Sequence, residues 1–179
     1  MANRGNMPKT AVTITYLEML APGWLRPKSN PEPPLRVSEC VLPQPDLCKF
    51  MYQWVGRDWD WKNRLCWSDD QWGAYMADEN IRMWLASVQG SIAGYFELTR
   101  QTEGNVEISY LGLLPECIGK GYGGYMLSEA IRLAWEWDAK RVWVHTCTLD
   151  HEGALSNYLA RGMKIYKTAA IQDDIKPDA

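Results

Sequence analysis

The feature that most constrains the fold of this chain is a glycine-rich turn between a strand and a long helix. The segment Glu107 to Gly124 reads EISYLGLLPECIGKGYGG, and its predicted strand ends at Pro115. Apolar residues then recur at helical spacing and predict a helix from Gly121 to Asp138. Glycines let a loop backbone approach a ligand closely, and loop N–H groups at a helix N-terminus favour anions. The segment therefore predicts a strand, loop and helix unit that binds a diphosphate.

Two common phosphate-binding motifs do not match this loop. Its glycines at 119, 121, 123 and 124 give G-x-G-x-G-G, whereas dinucleotide-binding proteins have G-x-G-x-x-G. An acidic residue at a strand end about 20 positions on is also missing. A P-loop is excluded because no Lys-Ser or Lys-Thr pair closes the run. A plain glycine-rich turn without a ligand remains the alternative.

The other segments predict strands and helices in an order typical of a mixed sheet. Strands are predicted at 11–16, 81–88, 91–99, 106–114, 141–146 and 163–169, and a short helix at 151–161. Seven prolines between Pro22 and Pro45 predict a loop, with a short strand at 35–41. Hairpin-linked strands combined with crossover helices predict an α+β domain.

Two further helices are predicted between the loop and the central strands. The first is expected to begin at Asp46 and to run through Val55. Its apolar face is predicted to carry Leu47, Phe50, Met51 and Trp54. In the second, at 69–77, Ser68 and Gln71 fit a capping box.

Length, charge and cysteine usage limit the classes of partner. A chain of 179 residues ordinarily forms one domain, so we expect 1–179 to be a single domain. A net charge of -3 and the lack of a basic run argue against a nucleic-acid partner. The sequence also lacks an apolar stretch of about 18 residues, so we do not expect a membrane partner. Five cysteines without a C-x-x-C pair indicate neither disulfides nor a metal site. We therefore expect a cytoplasmic protein without a metal.

The glycine loop resembles the acetyl-coenzyme A signature of the GCN5-related N-acetyltransferase (GNAT) family, R/Q-x-x-G-x-G/A. The likeness extends from about residue 81 to 169, where strand, loop, helix, strand and a tyrosine-containing helix occur in the family's order. It implies a GNAT-like mixed sheet of about six or seven strands with about four helices. It also implies acetyl transfer from the cosubstrate acetyl-CoA to an amine. One departure is Ile118, which stands where the family has Arg or Gln.

The resemblance implies where the coenzyme lies. The pantetheine arm is expected between two splayed strands that carry Leu113 and Val144, and backbone groups at 111–113 are expected to align the thioester. Residues 11–80 would form the acceptor side and 81–170 the acetyl-CoA-binding core. The implied coenzyme-binding residues are Leu111, Leu113, Ile118, Gly119, Lys120, Gly121, Tyr122, Gly123, Gly124, His151 and Tyr158.

A second pattern in the short helix also resembles the family. Ala154, Tyr158 and Gly162 match N-x-x-A-x-x-x-Y-x-x-x-G-F, while His151 replaces the asparagine. The resemblance implies that Tyr158 is catalytic and protonates the departing thiolate, whereas a core tyrosine is the alternative. His151 is interpreted either as a coenzyme contact or as a cap of the helix.

Acetyl transfer to an amine also needs a proton acceptor, because an alkylammonium has a pKa of about 10. Glu107 lies on the strand before the glycine loop, where family members that use a glutamate base often carry it. Strand alternation predicts that Glu107 shares a face with Leu111, opposite Ile108 and Tyr110. An exposed glutamate without a role is the alternative, and His145 is the second candidate base.

Tryptophan is concentrated before the central strands. Six of the ten tryptophans fall between positions 54 and 84. They are expected either to wall the acceptor site, with Asp58 and Asp60 favouring an amine, or to pack in the core or a homodimer interface. The acceptor is expected to be a small-molecule amine or a peptide. An acetyl-CoA-binding sensor or regulatory module without turnover remains the alternative function.

Overall fold

The computed structural model describes residues 11–59 and 61–171. These residues form seven strands and four α-helices. The strands are β1 Val12–Met19, β2 Leu35–Glu39, β3 Ile81–Val88, β4 Ser91–Arg100, β5 Asn105–Leu113, β6 Arg141–Cys147 and β7 Lys164–Ile171. The α-helices are α1 Pro45–Gly56, α2 Asp69–Ala77, α3 Tyr122–Glu136 and α4 Ala154–Ala160.

All seven strands join one sheet in the order β2-β3-β4-β5-β6-β1-β7. Every neighbouring pair is antiparallel except β5 and β6, which are parallel and connected through α3. A parallel pair needs such a crossover, whereas β3, β4 and β5 follow one another through short turns. The predicted mixed sheet and α+β class are confirmed.

The two faces of the sheet carry two separate cores. On one face, α3 and Tyr158 of α4 pack on strand residues such as Val106 and Ile108. On the other face, α1 and α2 pack with Tyr95 and Met83. Helix α3 and the tryptophans at 54–72 therefore pack on opposite faces of the sheet, whereas Trp84 belongs to the core on the α3 face.

The buried face of α1 differs from the predicted one. Its buried side chains are Cys48, Met51, Tyr52 and Val55, while Phe50 is half exposed. Cys48 and Tyr52, which were not predicted on the apolar face, pack in the core. The buried stripe of α1 is therefore rotated by about one position from the predicted stripe. The helix also begins earlier than Asp46, because Pro45 occupies its first turn after Gln44. The capping box of Ser68 and Gln71 in α2 is confirmed.

The first strand lies far from the elements that follow it in sequence. β1 is inserted between β6 and β7 and is antiparallel to both, with Ile14 opposite Cys147 and Val12 opposite Ile171. The segment after β1 then crosses over the glycine loop to reach β2, and Tyr122 Oη donates to Pro33 O at 2.9 Å. β1 therefore lies beside β6, far in the sheet from β2, which is the next strand along the chain.

A bulge in β5 changes which side chains share a face. The register between β4 and β5 shifts after the pair of Glu97 and Tyr110, so that Ser109 is an extra residue. Ile108 and Leu111 consequently point into the same core, while Tyr110 points into the other. The prediction that Glu107 and Leu111 share a face is therefore wrong.

Candidate functional site

The strands β5 and β6 separate after a short paired stretch. Their parallel register runs only from Asn105 opposite Arg141 to Glu107 opposite Trp143, although both strands continue. The predicted splay is confirmed. A cavity of about 560 Å³ opens there, and Leu113 and Val144 line it from the two strands. Such a cavity between diverging strands suits a narrow, extended ligand.

The glycine loop forms one end of this cavity. Gly119 and Gly121 have φ of +79° and +85°, which side chains rarely adopt, and Gly121 caps the N-terminus of α3. A β-carbon at Gly123 would lie 3.6 Å from Leu113 Cδ1, an ordinary contact. The protein therefore tolerates a methyl group at Gly123, and only a ligand in the cavity would exclude it.

Most of the coenzyme-binding residues implied by the sequence line the cavity. They are Leu111, Leu113, Ile118, Gly119, Gly121, Gly123, Gly124, His151 and Tyr158. Two others do not line it: Lys120 is exposed, and Tyr122 is buried in the core with its hydroxyl directed to Pro33. Their side chains are turned away from the cavity.

Two cations beside the loop were not anticipated. A β-carbon at Gly124 would meet Arg161 Nη1 at 2.5 Å and Lys28 Cδ at 2.7 Å. Neither cation has a carboxylate partner within residues 11–59 and 61–171, and Arg161 Nε is buried without a hydrogen-bond partner there. Like charges placed together at a helix N-terminus favour an anion between them. Lys28 lies in the proline-rich loop, in which no motif indicated a ligand contact.

Tyr158 lies in the cavity wall and is almost fully buried. Burial, and then the carboxylate of Asp150, raise the pKa of the Tyr158 phenol above its ordinary value. The phenol therefore stays protonated at neutral pH and can donate a hydrogen bond. Asp150 itself accepts hydrogen bonds at Oδ2 from Thr146 Oγ1 and Cys147 N, both at 2.9 Å.

His151 precedes α4 rather than belonging to it. Its Nδ1 accepts a hydrogen bond from Gly153 N at 2.9 Å, so it closes the turn that leads into the helix. The ring also packs edge-on against Trp59, with centroids 5.1 Å apart, and lines the cavity. His151 therefore both closes the turn before α4 and lines the cavity.

Glu107 and His145 are neighbours in the cavity wall. Glu107 is only 3% exposed, which rules out the exposed alternative. Its Oε2 accepts from Gln101 Nε2 at 2.9 Å, and Oε1 lies 3.4 Å from His145 Nδ1. Gln101 is fixed in turn, because its Oε1 accepts from Trp143 Nε1 at 2.9 Å and an indole can only donate. The two candidate bases are thus adjacent, although His145 Nδ1 has no hydrogen-bond partner among the described residues, and sequence spacing could not reveal this proximity.

Aromatic side chains surround the other end of the cavity. Trp59, Trp61, Trp67 and Tyr75 line it, while Trp72 is buried beneath. The tryptophan-rich region therefore contributes to both the core and the wall. Of the two aspartates predicted nearby, Asp58 is exposed and lies 3.5 Å from Arg57, and Asp60 lies outside the described residues.

A buried ion pair lies beneath these rings. Arg64 Nη1 is 2.9 Å from Glu97 Oε2, with side-chain exposures of 9% and 0%. The guanidinium also lies 4.0 Å from the ring centre of Tyr75 and 4.3 Å from that of Tyr110. Tyr75 Oη donates a hydrogen bond to the same carboxylate. The positive charge of Arg64 is therefore balanced within the protein.

Other candidate chemistries are less well supported by the geometry. Cys147 is buried and is not part of the cavity wall. Within the described part of the chain, no three His, Cys, Asp or Glu side chains are grouped in a way that would hold a metal ion. None of the described helices combines the length and the apolar character needed to cross a membrane.

Comparison with known proteins gives consistent matches in sequence. A sequence model of the acetyltransferase (GNAT) family matches residues 48–163. Uncharacterized N-acetyltransferases from Mycobacterium tuberculosis and Mycobacterium bovis are 31% identical to this chain over 101 residues. The match covers 56% of this chain and 64% of those relatives, which is less than two thirds of their length.

Solved structures resemble the fold at low sequence identity. A GCN5-related N-acetyltransferase from Sphaerobacter thermophilus superposes with a TM-score of 0.66 at 17% identity, over 89% of this chain and 50% of that one. An aminoglycoside acetyltransferase from an uncultured soil sample, in complex with trehalose, gives 0.57 at 18% identity, over 71% and 86%. The predicted GNAT-like fold is confirmed.

Proposed function

This chain belongs to the acetyltransferase (GNAT) family, and on that premise we propose that it transfers an acetyl group from acetyl-CoA directly to an amine. The observation that carries the proposal is the single cavity between β5 and β6. It brings the glycine loop, Tyr158 and the pair of Glu107 and His145 together. No other described cavity combines a phosphate-binding loop with groups that can accept or donate a proton.

The coenzyme would be held at two places. Backbone N–H groups of the loop at 119–124 and the N-terminus of α3 would bind the diphosphate. Lys28 and Arg161 would supply positive charge beside the diphosphate. They would replace the contact that the family makes with an Arg or Gln at the position of Ile118. The pantetheine arm would then lie between Leu113 and Val144 and bring the thioester to the backbone of β5.

The proton of the acceptor's ammonium group would pass to the pair of Glu107 and His145, and the free amine would then attack the thioester. Glu107 and Leu111 are four residues apart, or about 13 Å along an extended strand. This separation exceeds the reach of a glutamate side chain, so the proton transfer includes water. Gln101 keeps one carboxylate oxygen occupied and leaves the other facing His145. The pair therefore acts as one proton acceptor.

Tyr158 would act on the leaving group. Its raised pKa makes complete proton transfer to a thiolate unfavourable, because thiols have a pKa near 8.5. A protonated phenol still stabilises the departing thiolate by donating a hydrogen bond. The proposed role is therefore hydrogen-bond donation during bond cleavage rather than full acid catalysis.

Titration with acetyl-CoA and measurement of thiol release with a panel of amines test this function. We expect binding and amine-dependent thiol release, whereas a sensor without turnover would bind acetyl-CoA and release no thiol. The proton acceptor is tested by kcat/KM against pH for wild type, Glu107→Gln, His145→Gln and the double variant. Both single variants should lose rate mainly at acidic pH, and the double variant should fall little further than the worse single one. Curves parallel to wild type would remove the pair from the mechanism.

A further inference from the structure

The acceptor end of the cavity is built to receive a flat, apolar group. Its walls include Trp59, Trp61, Trp67 and Tyr75. Trp61 is held by Tyr110 at a ring-centre distance of 4.9 Å, and Trp67 by Tyr75 at 5.4 Å. Packing of this kind fixes ring orientations before any ligand arrives, which lowers the entropic cost of binding an aromatic partner.

The charges at this end select for a single positive group. Arg64 is already neutralised by Glu97, so it offers no net charge to an acceptor carboxylate. The carboxylates of the described cavity wall are Glu107 and Asp150. Asp150 is engaged by Thr146 and Cys147, whereas Glu107 faces a histidine and a neutral amide. Glu107 is therefore the described carboxylate of the cavity wall that is left to accept the proton of one ammonium group.

We infer that the acceptor is a primary amine carried on a flat apolar group, of the arylalkylamine class. This inference rests on the proposed N-acetyltransferase function. The amine nitrogen lies at the thioester, and its proton passes through water to Glu107, while the ring packs against the tryptophan walls. A polycationic sugar would bring several ammonium groups to a wall with one available carboxylate, and most of its hydroxyls would face indole rings.

An arylalkylamine acceptor would distinguish this chain from its structural neighbour, an aminoglycoside acetyltransferase, although the folds are alike. The test compares kcat/KM for tryptamine and 2-phenylethylamine with kcat/KM for butylamine, kanamycin and a lysine-containing peptide. We expect the two aromatic amines to exceed butylamine by at least tenfold, because only they fill the aromatic walls. Equal or faster acetylation of kanamycin or the peptide would overturn the inference while leaving the acetyltransferase function intact.

Variants of the wall complete the test. Trp59→Leu and Trp67→Leu should each raise KM for tryptamine about tenfold, with little change for butylamine. Acetyl-CoA affinity should stay unchanged in Trp67→Leu, because Trp67 packs on Tyr75 and Trp72. Trp54→Leu is the matched control, because Trp54 packs on Phe50 outside the cavity, and its KM should stay at the wild-type value. Unchanged KM in both wall variants would overturn the inference. Acetyl-CoA binding without acetylation of any amine would instead overturn the proposed function, and this inference with it.

Discussion

Replacing Arg64 with methionine would remove the positive half of the buried ion pair and leave the Glu97 carboxylate alone in the core. Glu97 is fully buried, and its remaining donors would be Tyr75 Oη and the weak thiol of Cys48. Breaking a buried pair on one side typically costs about 3–5 kcal/mol. For a domain of this size each kcal/mol lowers Tm by about 2–4 °C, so we expect a fall of about 6–20 °C.

An exposed ion pair provides the matched control for this experiment. Lys49 and Asp69 are 2.8 Å apart with side-chain exposures of 34% and 83%. Lys49→Met should therefore leave Tm close to the wild-type value, because solvent screens this exposed pair. The double variant Arg64→Met with Glu97→Gln should recover much of the loss, because no buried charge remains. Thermal and denaturant unfolding measure all four proteins. A fall for Arg64→Met no larger than that for Lys49→Met would refute the reasoning.

Three further predictions concern the catalytic site. Tyr158→Phe should lower kcat by about 10²-fold with acetyl-CoA affinity unchanged. Because the pKa of Tyr158 is raised, the kcat of the wild type should show no decline between pH 7 and 9 from loss of the phenol proton. Gly123→Ala should keep its Tm yet bind acetyl-CoA at least tenfold more weakly by calorimetry, and equal affinity would contradict the loop assignment. Lys28→Ala should weaken acetyl-CoA binding and reduce its salt dependence, because Lys28 Nζ would lie 3.9 Å from a β-carbon at Gly121, whereas Lys120→Ala, which removes an exposed side chain, should not.

Local sequence patterns predicted most of the secondary structure. The capping box at Ser68, the bounds of α2 and β3, and the strand, loop and helix around Gly121 follow from residue spacing alone. The errors arise where tertiary packing overrides the local pattern. Cys48 and Tyr52 are buried because α2 and the sheet cover that side of α1, and the β5 bulge at Ser109 reverses a face that simple alternation would assign otherwise.

The sequence predicted those residues of the site that belong to a local motif. Tyr158 and the loop glycines reach one cavity, as the resemblance implied. Contacts between distant segments were not predictable, because no spacing rule links them. The pairing of Glu107 with His145, the charge balance of Arg64 and Glu97, and the position of Lys28 all depend on strand order and on the path of a long loop.

The insertion of β1 between β6 and β7 has a consequence for how the molecule is made. On the ribosome β1 emerges before every other described strand, yet its two partners are the last two strands of the described order. At about 5–20 residues per second, the nascent strand stays unpaired for on the order of ten seconds. The β3–β4–β5 hairpins can form in that interval, since their contacts are local, but β1 closes the sheet only after β7 has emerged. Sheet completion is therefore a late event in folding during synthesis, and the edges that β1 will cover remain open to chaperones until then.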